Sequence, residues 1–229
     1  MSKENPIKKR TLWFTIVNTF LFISTIIVTY ITLTFGTLAG QVDTNVEESW
    51  FYILTFTVQS NILLGLIAAV NMFFGIRNLI KDKPIPRAAL RWYLVASSAA
   101  MLTALVVIFF LAPMRVIGGR NYFDMLLGPM FFFHFFNPFL SAVAFIYLTP
   151  AIRFARPDCL LALLPPIAYA GPYILNVVIL HNWYDFYNFT FGGHNIAILP
   201  VFIVISLVTF GIASGLVFSH NHRKNSKNH

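Results

Sequence analysis

Long apolar stretches separated by short polar segments dominate the pattern of this chain. Six stretches, at about 12–37, 50–76, 91–113, 125–149, 159–181 and 195–219, are each long enough to span a bilayer, whose core of about 30 Å needs a helix of roughly 20 residues. The breaks between them carry charged, amide or turn residues, as at 41–45 and 81–84. The pattern predicts an all-α, polytopic membrane protein in which residues 1–229 form a single six-helix domain.

The composition of the chain excludes most soluble classes of protein. Apolar residues make up 58% of the chain and charged residues only 10%, whereas a soluble domain carries about 25% charged residues. The chain is also too hydrophobic to be disordered. Because it has a single cysteine, a disulfide framework and a cysteine-based metal site are excluded, and we expect no metal and no other cofactor.

Positive charge is distributed unevenly between the segments that join the spans. Of the 16 Lys and Arg residues, only Arg115 and Arg120 lie on the side that carries Asp43, Asp124 and Asp185. Basic residues concentrate in cytoplasmic segments, so we expect both termini in the cytoplasm. This topology and the attraction to anionic lipids explain the net charge of +8. Membrane lipids are therefore the expected partners, and no nucleic-acid-binding motif is present.

Polar residues deep in the spans are the candidates for function, because hydrocarbon offers them no water. No Lys, Arg, Asp or Glu lies deep in a span, and His134 is the one deep ionisable residue. Asn137 shares its helix face, and Pro138 removes a backbone donor and frees the carbonyl of His134. In span two, Thr57 and Asn61 share a face, and Thr57 is expected at a depth similar to that of His134.

Aromatic residues and histidines outside this cluster are expected to lie at the membrane interface or in solvent. Tyr187 belongs to a group of Trp, Tyr and Phe residues expected to form the outer interface belt. His181, Asp185 and His194 are expected to lie in that interface. The C-terminal histidines are expected to be solvated in a basic polar tail; they are His220, His222 and His229.

Two short motifs resemble a known group of proteins. The Phe-Thr-Val-Gln-Ser-Asn run at 56–61 resembles a signature of six-helix bacterial membrane proteins, and His134 followed by Pro138 fits the same group. These proteins are distantly similar to the androgen-induced and androgen-dependent family of integral-membrane threonine hydrolases, which cleave fatty acid esters of hydroxy fatty acids. The resemblance implies that Thr57 is the nucleophile, that His134 is its partner, and that the chain lies in a bacterial plasma membrane.

The chemistry implied by this resemblance is physically reasonable. A threonine hydroxyl becomes a nucleophile when a neutral imidazole within about 2.6–3.2 Å takes its proton, and burial favours the neutral imidazole. Without a deep carboxylate, a backbone carbonyl or an amide is expected to orient His134. Acyl transfer also needs donors for the oxyanion. Donor and substrate-binding candidates are Gln59, Ser60, Asn61, Thr103, Asn137 and Asn176.

Two other classes of function use the same polar cluster. In a small-solute transporter or channel, it would bind the solute; spans interrupted by Pro and Gly favour this interpretation. The lack of a convincing internal repeat and of intramembrane charge argues against it. In a non-catalytic scaffold or sensor, the cluster would only pack the helices. Variants at Thr57 and His134 would then change stability without abolishing a turnover.

Overall fold

The chain folds into a bundle of long helices. A computed structural model describes residues 6–35, 50–150 and 152–225, and these contain no strand. Six helices are long and apolar enough to cross a membrane, which confirms the all-helical prediction and indicates an integral, multi-pass membrane protein. They are α1 (Pro6–Phe35), α2 (Phe56–Lys81), α3 (Arg87–Ile117), α4 (Pro129–Leu148), α5 (Arg156–Ile179) and α6 (Asn195–Arg223).

Some of the charges used to predict the topology lie outside the described residues, as does His229. These charges include Lys3, Asp43, Glu47, Glu48 and Lys227. Residues near both termini nevertheless meet at one end of the bundle, hereafter the terminal end. There Arg10 donates to the carbonyl of Thr149 at 2.7 Å and Arg223 donates to that of Tyr147.

Two helices begin later than the hydrophobic pattern predicts. Trp50–Leu54 forms a separate 3-10 turn, and α2 begins only at Phe56. Thr55 is the N-cap, and its side-chain oxygen accepts a bond from the Val58 N–H at 3.4 Å. Similarly, Tyr122–Leu126 forms a 3-10 turn before α4. As a result Thr57 lies in the first turn of its helix and not in its second or third.

Helices α1 and α2 pack closely through glycines of α2. A Cβ atom added at Gly65 would lie 2.7 Å from the Thr25 Cγ2 atom, and one added at Gly75 would lie 2.2 Å from the Thr15 Oγ1 atom. Small residues allow such close approach between membrane helices. Gly65 and Gly75 therefore let α1 approach α2 closely.

At the terminal end, a buried carboxylate joins α3 to the start of α5. Asp158 is only 2% exposed, and its carboxylate lies 2.6 Å from Arg91 Nε and 3.3 Å from Arg87 Nη2. It also accepts the backbone N–H of Ala155 at 2.8 Å. Removing such an acid would leave two guanidinium groups without their partner.

The expectation that His220 is solvated is wrong. Helix α6 continues beyond the predicted end at 219, and His220 is fully buried between the rings of Phe145 and Phe154. Its Nε2 atom lies 3.0 Å from the carbonyl of Ile152. His222, two residues further on, is exposed as expected.

Helices α3, α4 and α5 each contain a π turn, and all three turns lie at the end opposite the termini. The turns are Val107–Leu111, Phe132–Phe136 and Leu175–Ile179. In α3 and α4, Pro113 and Pro138 follow two residues after the turn. Proline lacks an N–H, and a π turn is one way to rearrange the bonds around that gap. Such turns are often found at functional sites.

Candidate functional site

A cavity of about 360 Å³ opens at the end of the bundle opposite the termini. We call it the polar cavity. Thr57 from α2 and His134 from α4 both line it, so the structure brings the two predicted catalytic residues to one space. Other lining residues are Thr32, Tyr52, Thr55, Arg115, Met125 and Tyr187.

Thr57 is positioned by the start of α2. It is 8% exposed, and its backbone N–H points to the Tyr187 hydroxyl oxygen at 3.4 Å. The first N–H groups of a helix have no partner within the helix, and its dipole favours negative charge there. The Thr57 hydroxyl therefore lies where a developing oxyanion would be stabilised.

His134 is held within the π turn of α4. It is 2% exposed, and its Nδ1 atom lies 2.5 Å from the carbonyl oxygen of Met125. Because a carbonyl only accepts, Nδ1 carries the proton and Nε2 is the accepting nitrogen. A backbone carbonyl thus orients the ring, as the sequence led us to expect. No hydrogen bond within the described part of the chain joins His134 to Thr57.

Asn61 and Ser60 bond to protein groups around the cluster. The Asn61 amide donates to the carbonyls of Thr57 at 2.9 Å and Phe133 at 3.2 Å. The second of these carbonyls lies in the π turn of α4. Ser60 shares a hydrogen bond of 2.9 Å with Thr103 on α3. These side chains therefore tie α2 to α3 and α4, and the Asn61 N–H groups are already in use.

None of the six predicted substrate-binding residues lines the polar cavity. Gln59 is exposed and donates to the carbonyl of Ile53 at 3.0 Å. Asn137 accepts a bond of 3.0 Å from Ser24 of α1. Asn176 donates to a carbonyl of its own helix, that of Pro172, at 2.8 Å. By contrast, Thr103 shares a second, apolar cavity with Thr57.

Tyr187 is the main contact that the sequence did not reveal. Expected in the interface belt, it is 7% exposed, and its hydroxyl oxygen accepts the backbone N–H of Thr57 at 3.4 Å. Burial raises the pKa of the Tyr187 phenol, so it stays protonated at neutral pH. Its hydroxyl therefore has a proton to donate inside the cavity.

Asp185 organises the segment that carries Tyr187. Its carboxylate accepts the N–H groups of Phe189 at 2.9 Å and Thr190 at 2.8 Å, the Thr190 hydroxyl at 2.7 Å and the Tyr173 hydroxyl at 2.5 Å. Burial alone would raise the pKa of Asp185, but these hydrogen bonds outweigh it and lower the pKa. Asp is a common turn residue because its side chain bonds nearby backbone groups, but the sequence alone does not show that Asp185 reaches residues 189 and 190.

Positive charge outweighs negative charge among the described residues that line the polar cavity, which include Arg115, Arg120 and Asp185. Arg115 lines it, and none of the ion pairs between described residues includes Arg115. Asp185 lines it too, but its oxygens already accept four hydrogen bonds. Within the described ranges no three His, Cys, Asp or Glu residues come together as metal ligands. The cavity therefore favours an anionic group.

Comparison of the chain with known proteins identifies no relative. No protein-family model matches it, and neither a curated protein nor a solved structure does. What the chain does is therefore inferred from its two motifs and from the geometry around Thr57 and His134.

Proposed function

We propose that this protein is an intramembrane hydrolase of lipid esters, of the fatty acid ester of hydroxy fatty acid type. Thr57 is the nucleophile and His134 is the general base. The observation that supports this most is that the two side chains, on different helices, line one cavity. The proposed location is a bacterial plasma membrane, with both termini in the cytoplasm and the polar cavity open to the outer side.

The first half of the reaction forms an acyl-enzyme. His134 Nε2 takes the proton of the Thr57 hydroxyl as Thr57 Oγ1 attacks the ester carbonyl carbon. The carbonyl π electrons move onto oxygen and form an oxyanion. When the oxyanion collapses, the bond to the alcohol oxygen breaks, and that oxygen receives the proton from His134. The hydroxy fatty acid leaves, and the fatty acyl group remains on Thr57.

The second half of the reaction returns the free enzyme. Water enters through the polar cavity and gives a proton to His134 Nε2 as its oxygen attacks the acyl carbonyl. Collapse breaks the bond to Thr57 Oγ1, which regains the proton from His134. The products over both halves are one fatty acid and one hydroxy fatty acid, so one water is consumed.

Oxyanion stabilisation is assigned to the start of α2 and to Tyr187, because the amide of Asn61 is already bonded to carbonyls. The N–H of Thr57 and the hydroxyl of Tyr187 both lie beside the nucleophile. One such donor typically contributes about 2.7–4 kcal/mol to the transition state. Because Tyr187 accepts the Thr57 N–H only at 3.4 Å, that N–H is weakly bonded and available to an oxyanion.

The positive charge of the cavity supports a substrate with a free carboxylate. A fatty acid ester of a hydroxy fatty acid has one, on the leaving half. Arg115 lines the same cavity as Thr57 and His134, and guanidinium groups bind carboxylates through paired hydrogen bonds. Arg115 is therefore the proposed carboxylate-binding residue.

Small-solute transport is the second candidate, and the three π turns near the cavity favour it, because interrupted helices often line transport sites. A transporter would release no fatty acid from an ester. It would instead move a solute across vesicles, and that activity would survive in Thr57→Ser.

The hydrolase is tested with purified protein in lipid nanodiscs and a fatty acid ester of hydroxystearic acid, with release of fatty acid as the readout. We expect Thr57→Ala to lower the rate by about 10⁴-fold or more, as loss of a nucleophile does, and Thr57→Ser to retain part of it. Thr209→Ala is the matched control, because Thr209 is a buried threonine whose hydroxyl bonds only to the Ile205 carbonyl. A Thr57→Ala protein that hydrolyses the ester at the wild-type rate would contradict the proposal.

A further inference from the structure

Thr57 lies between two spaces of opposite character. On one side is the polar cavity, and on the other is a narrow apolar cavity of about 30 Å³. We call this second space the neck. Beyond it, a groove of about 390 Å³ lies between α3 and α6. This groove, which we call the lateral groove, is lined only by apolar residues, among them Val106, Phe110, Phe189, Val204, Ile205 and Val208.

Each of these three spaces shares lining residues with the next one. Thr57, Leu111 and Tyr187 line both the polar cavity and the neck. Leu102, Val106, Phe189 and Ile205 line both the neck and the lateral groove. The three spaces are therefore adjacent, with Thr57 at the boundary between the polar cavity and the neck. The lateral groove is lined by exposed residues of α6 such as Val204.

We propose that the lateral groove and the neck bind the acyl chain of the ester, which enters between α3 and α6 with its carbonyl at Thr57. This inference rests on the proposed function. The occupant follows from the chemistry of the two sides: one half of the substrate is a hydrocarbon chain, and the other carries a carboxylate. A chain in the groove remains in apolar surroundings, so it leaves the lipid without passing polar groups. The anionic half lies with Arg115 in the polar cavity.

The small volume of the neck indicates which half of the ester it binds. A water molecule needs about 10–15 Å³ of such space, so the neck holds about two water-sized volumes. A space this small admits an unbranched chain more readily than the branched hydroxy acid half, which has about 360 Å³ in the polar cavity.

The test narrows the lateral groove with a large side chain and compares two esters of one hydroxystearic acid. The variant is Val208→Trp, because Val208 lines the lateral groove but not the neck, and the esters are acetyl and palmitoyl. We expect kcat/KM for the palmitoyl ester to fall by about tenfold or more, the scale on which apolar pockets discriminate chains, while that for the acetyl ester is unchanged. The matched control is Ile203→Trp, because Ile203 lies on the same helix, is 61% exposed and does not line the groove.

Failure of this inference is distinguishable from failure of the proposed function. If Val208→Trp is folded and hydrolyses both esters as the wild type does, or loses both equally, the acyl path is overturned and the hydrolase stands. If the wild type hydrolyses neither ester, the hydrolase fails. The groove is then tested by photolabelling with a diazirine-bearing palmitate. If Val106 is labelled and unlabelled palmitate prevents this labelling, acyl binding in the groove is supported. If unlabelled palmitate reduces labelling at Val106 no more than at Ile203, acyl binding in the groove is overturned.

Discussion

His134 and His220 lie at opposite ends of the bundle, and each places one ring nitrogen near a backbone carbonyl. His134 Nδ1 is 2.5 Å from the Met125 oxygen, and His220 Nε2 is 3.0 Å from the Ile152 oxygen. Both are almost fully buried. Their surroundings differ, because His134 faces the polar cavity within a π turn, whereas His220 packs against two phenylalanine rings on a regular helix.

This difference is the reason that a catalytic role is proposed for His134 and not for His220. Burial and a carbonyl partner are common to both residues, so neither property points to catalysis. What only His134 has is a cavity that it shares with a hydroxyl at the start of a helix. The terminal end contains the buried Asp158 cluster, whereas the opposite end contains the three π turns and the proposed catalytic pair.

The largest expected effect comes from exchanging the two histidines separately for alanine. We expect His134→Ala to lower the rate of ester hydrolysis by about 10²–10⁴-fold, the usual contribution of a general base. We expect His220→Ala to keep the rate per folded molecule and to lower the free energy of unfolding by about 1–3 kcal/mol, because it removes a buried hydrogen bond and ring contacts. Rates and detergent unfolding curves measure both effects.

The reverse outcome would break the comparison between the two ends. If His220→Ala lost the activity while it remained folded, or if His134→Ala changed only the stability, the polar cavity would not be the catalytic space. Thermal unfolding of each variant beside the wild type separates a lost base from a lost fold.

A smaller effect, on stability, is expected at the contact between α1 and α2. Gly75→Ala places a Cβ atom 2.2 Å from Thr15 Oγ1, and such overpacking destabilises by about 1–3 kcal/mol. Gly211→Ala is the matched variant in α6, where nothing lies within 4 Å of the added Cβ. It should be neutral or stabilising by about 0.5–1 kcal/mol, because alanine is the better helix former. Equal unfolding curves for the two variants would show that α1 and α2 do not pack in this way.

The smallest effect concerns the segment that holds Tyr187 and depends on pH. Because the pKa of Asp185 is lowered in the fold, the stabilisation by its carboxylate is present above the ordinary carboxyl pKa and is lost as the pH falls through the lowered value. Asp185→Asn should weaken this segment by about 1 kcal/mol at neutral pH, and the difference from the wild type should vanish in strong acid. Hydrogen exchange of the Phe189 and Thr190 amides measures it.

The control for that experiment is Asp82→Asn, because the Asp82 carboxylate forms an ion pair with Lys8 between largely exposed side chains. Exposed pairs contribute little, so exchange at Phe189 and Thr190 should not change. Equal protection of these amides in Asp185→Asn and in the wild type would show that the carboxylate does not hold the segment.

Hydrophobic pattern was sufficient to predict the six spans, because a membrane helix must be apolar along its whole length. It misplaced the start of α2, since the residues before Thr55 are as apolar as those after it. The N-cap preference of Thr55 could have corrected this. With that correction, Thr57 belongs to the first turn of a helix, and the orphan N–H groups beside it could have been predicted.

Side-chain partners distant in sequence could not be predicted in the same way. Thr57 and Tyr187 meet only because the segment after α5 folds back over α2, and a single sequence gives no signal for that contact. The Asn61 amide donates to the Phe133 carbonyl, and this contact depends on the π turn of α4, which the sequence did not predict. A backbone carbonyl was among the expected partners of His134. The sequence did not show that this carbonyl belongs to Met125, because the contact depends on the 3-10 turn before α4.

The most direct test of the Thr57–His134 pair is to map the covalent adduct of a fluorophosphonate probe by mass spectrometry of the purified protein. We expect one phosphonylated residue, Thr57. Labelling should be lost in His134→Ala and retained in His220→Ala. A protein that hydrolyses the ester but carries its adduct on another residue, such as Ser60, would contradict the assignment of Thr57 as the nucleophile.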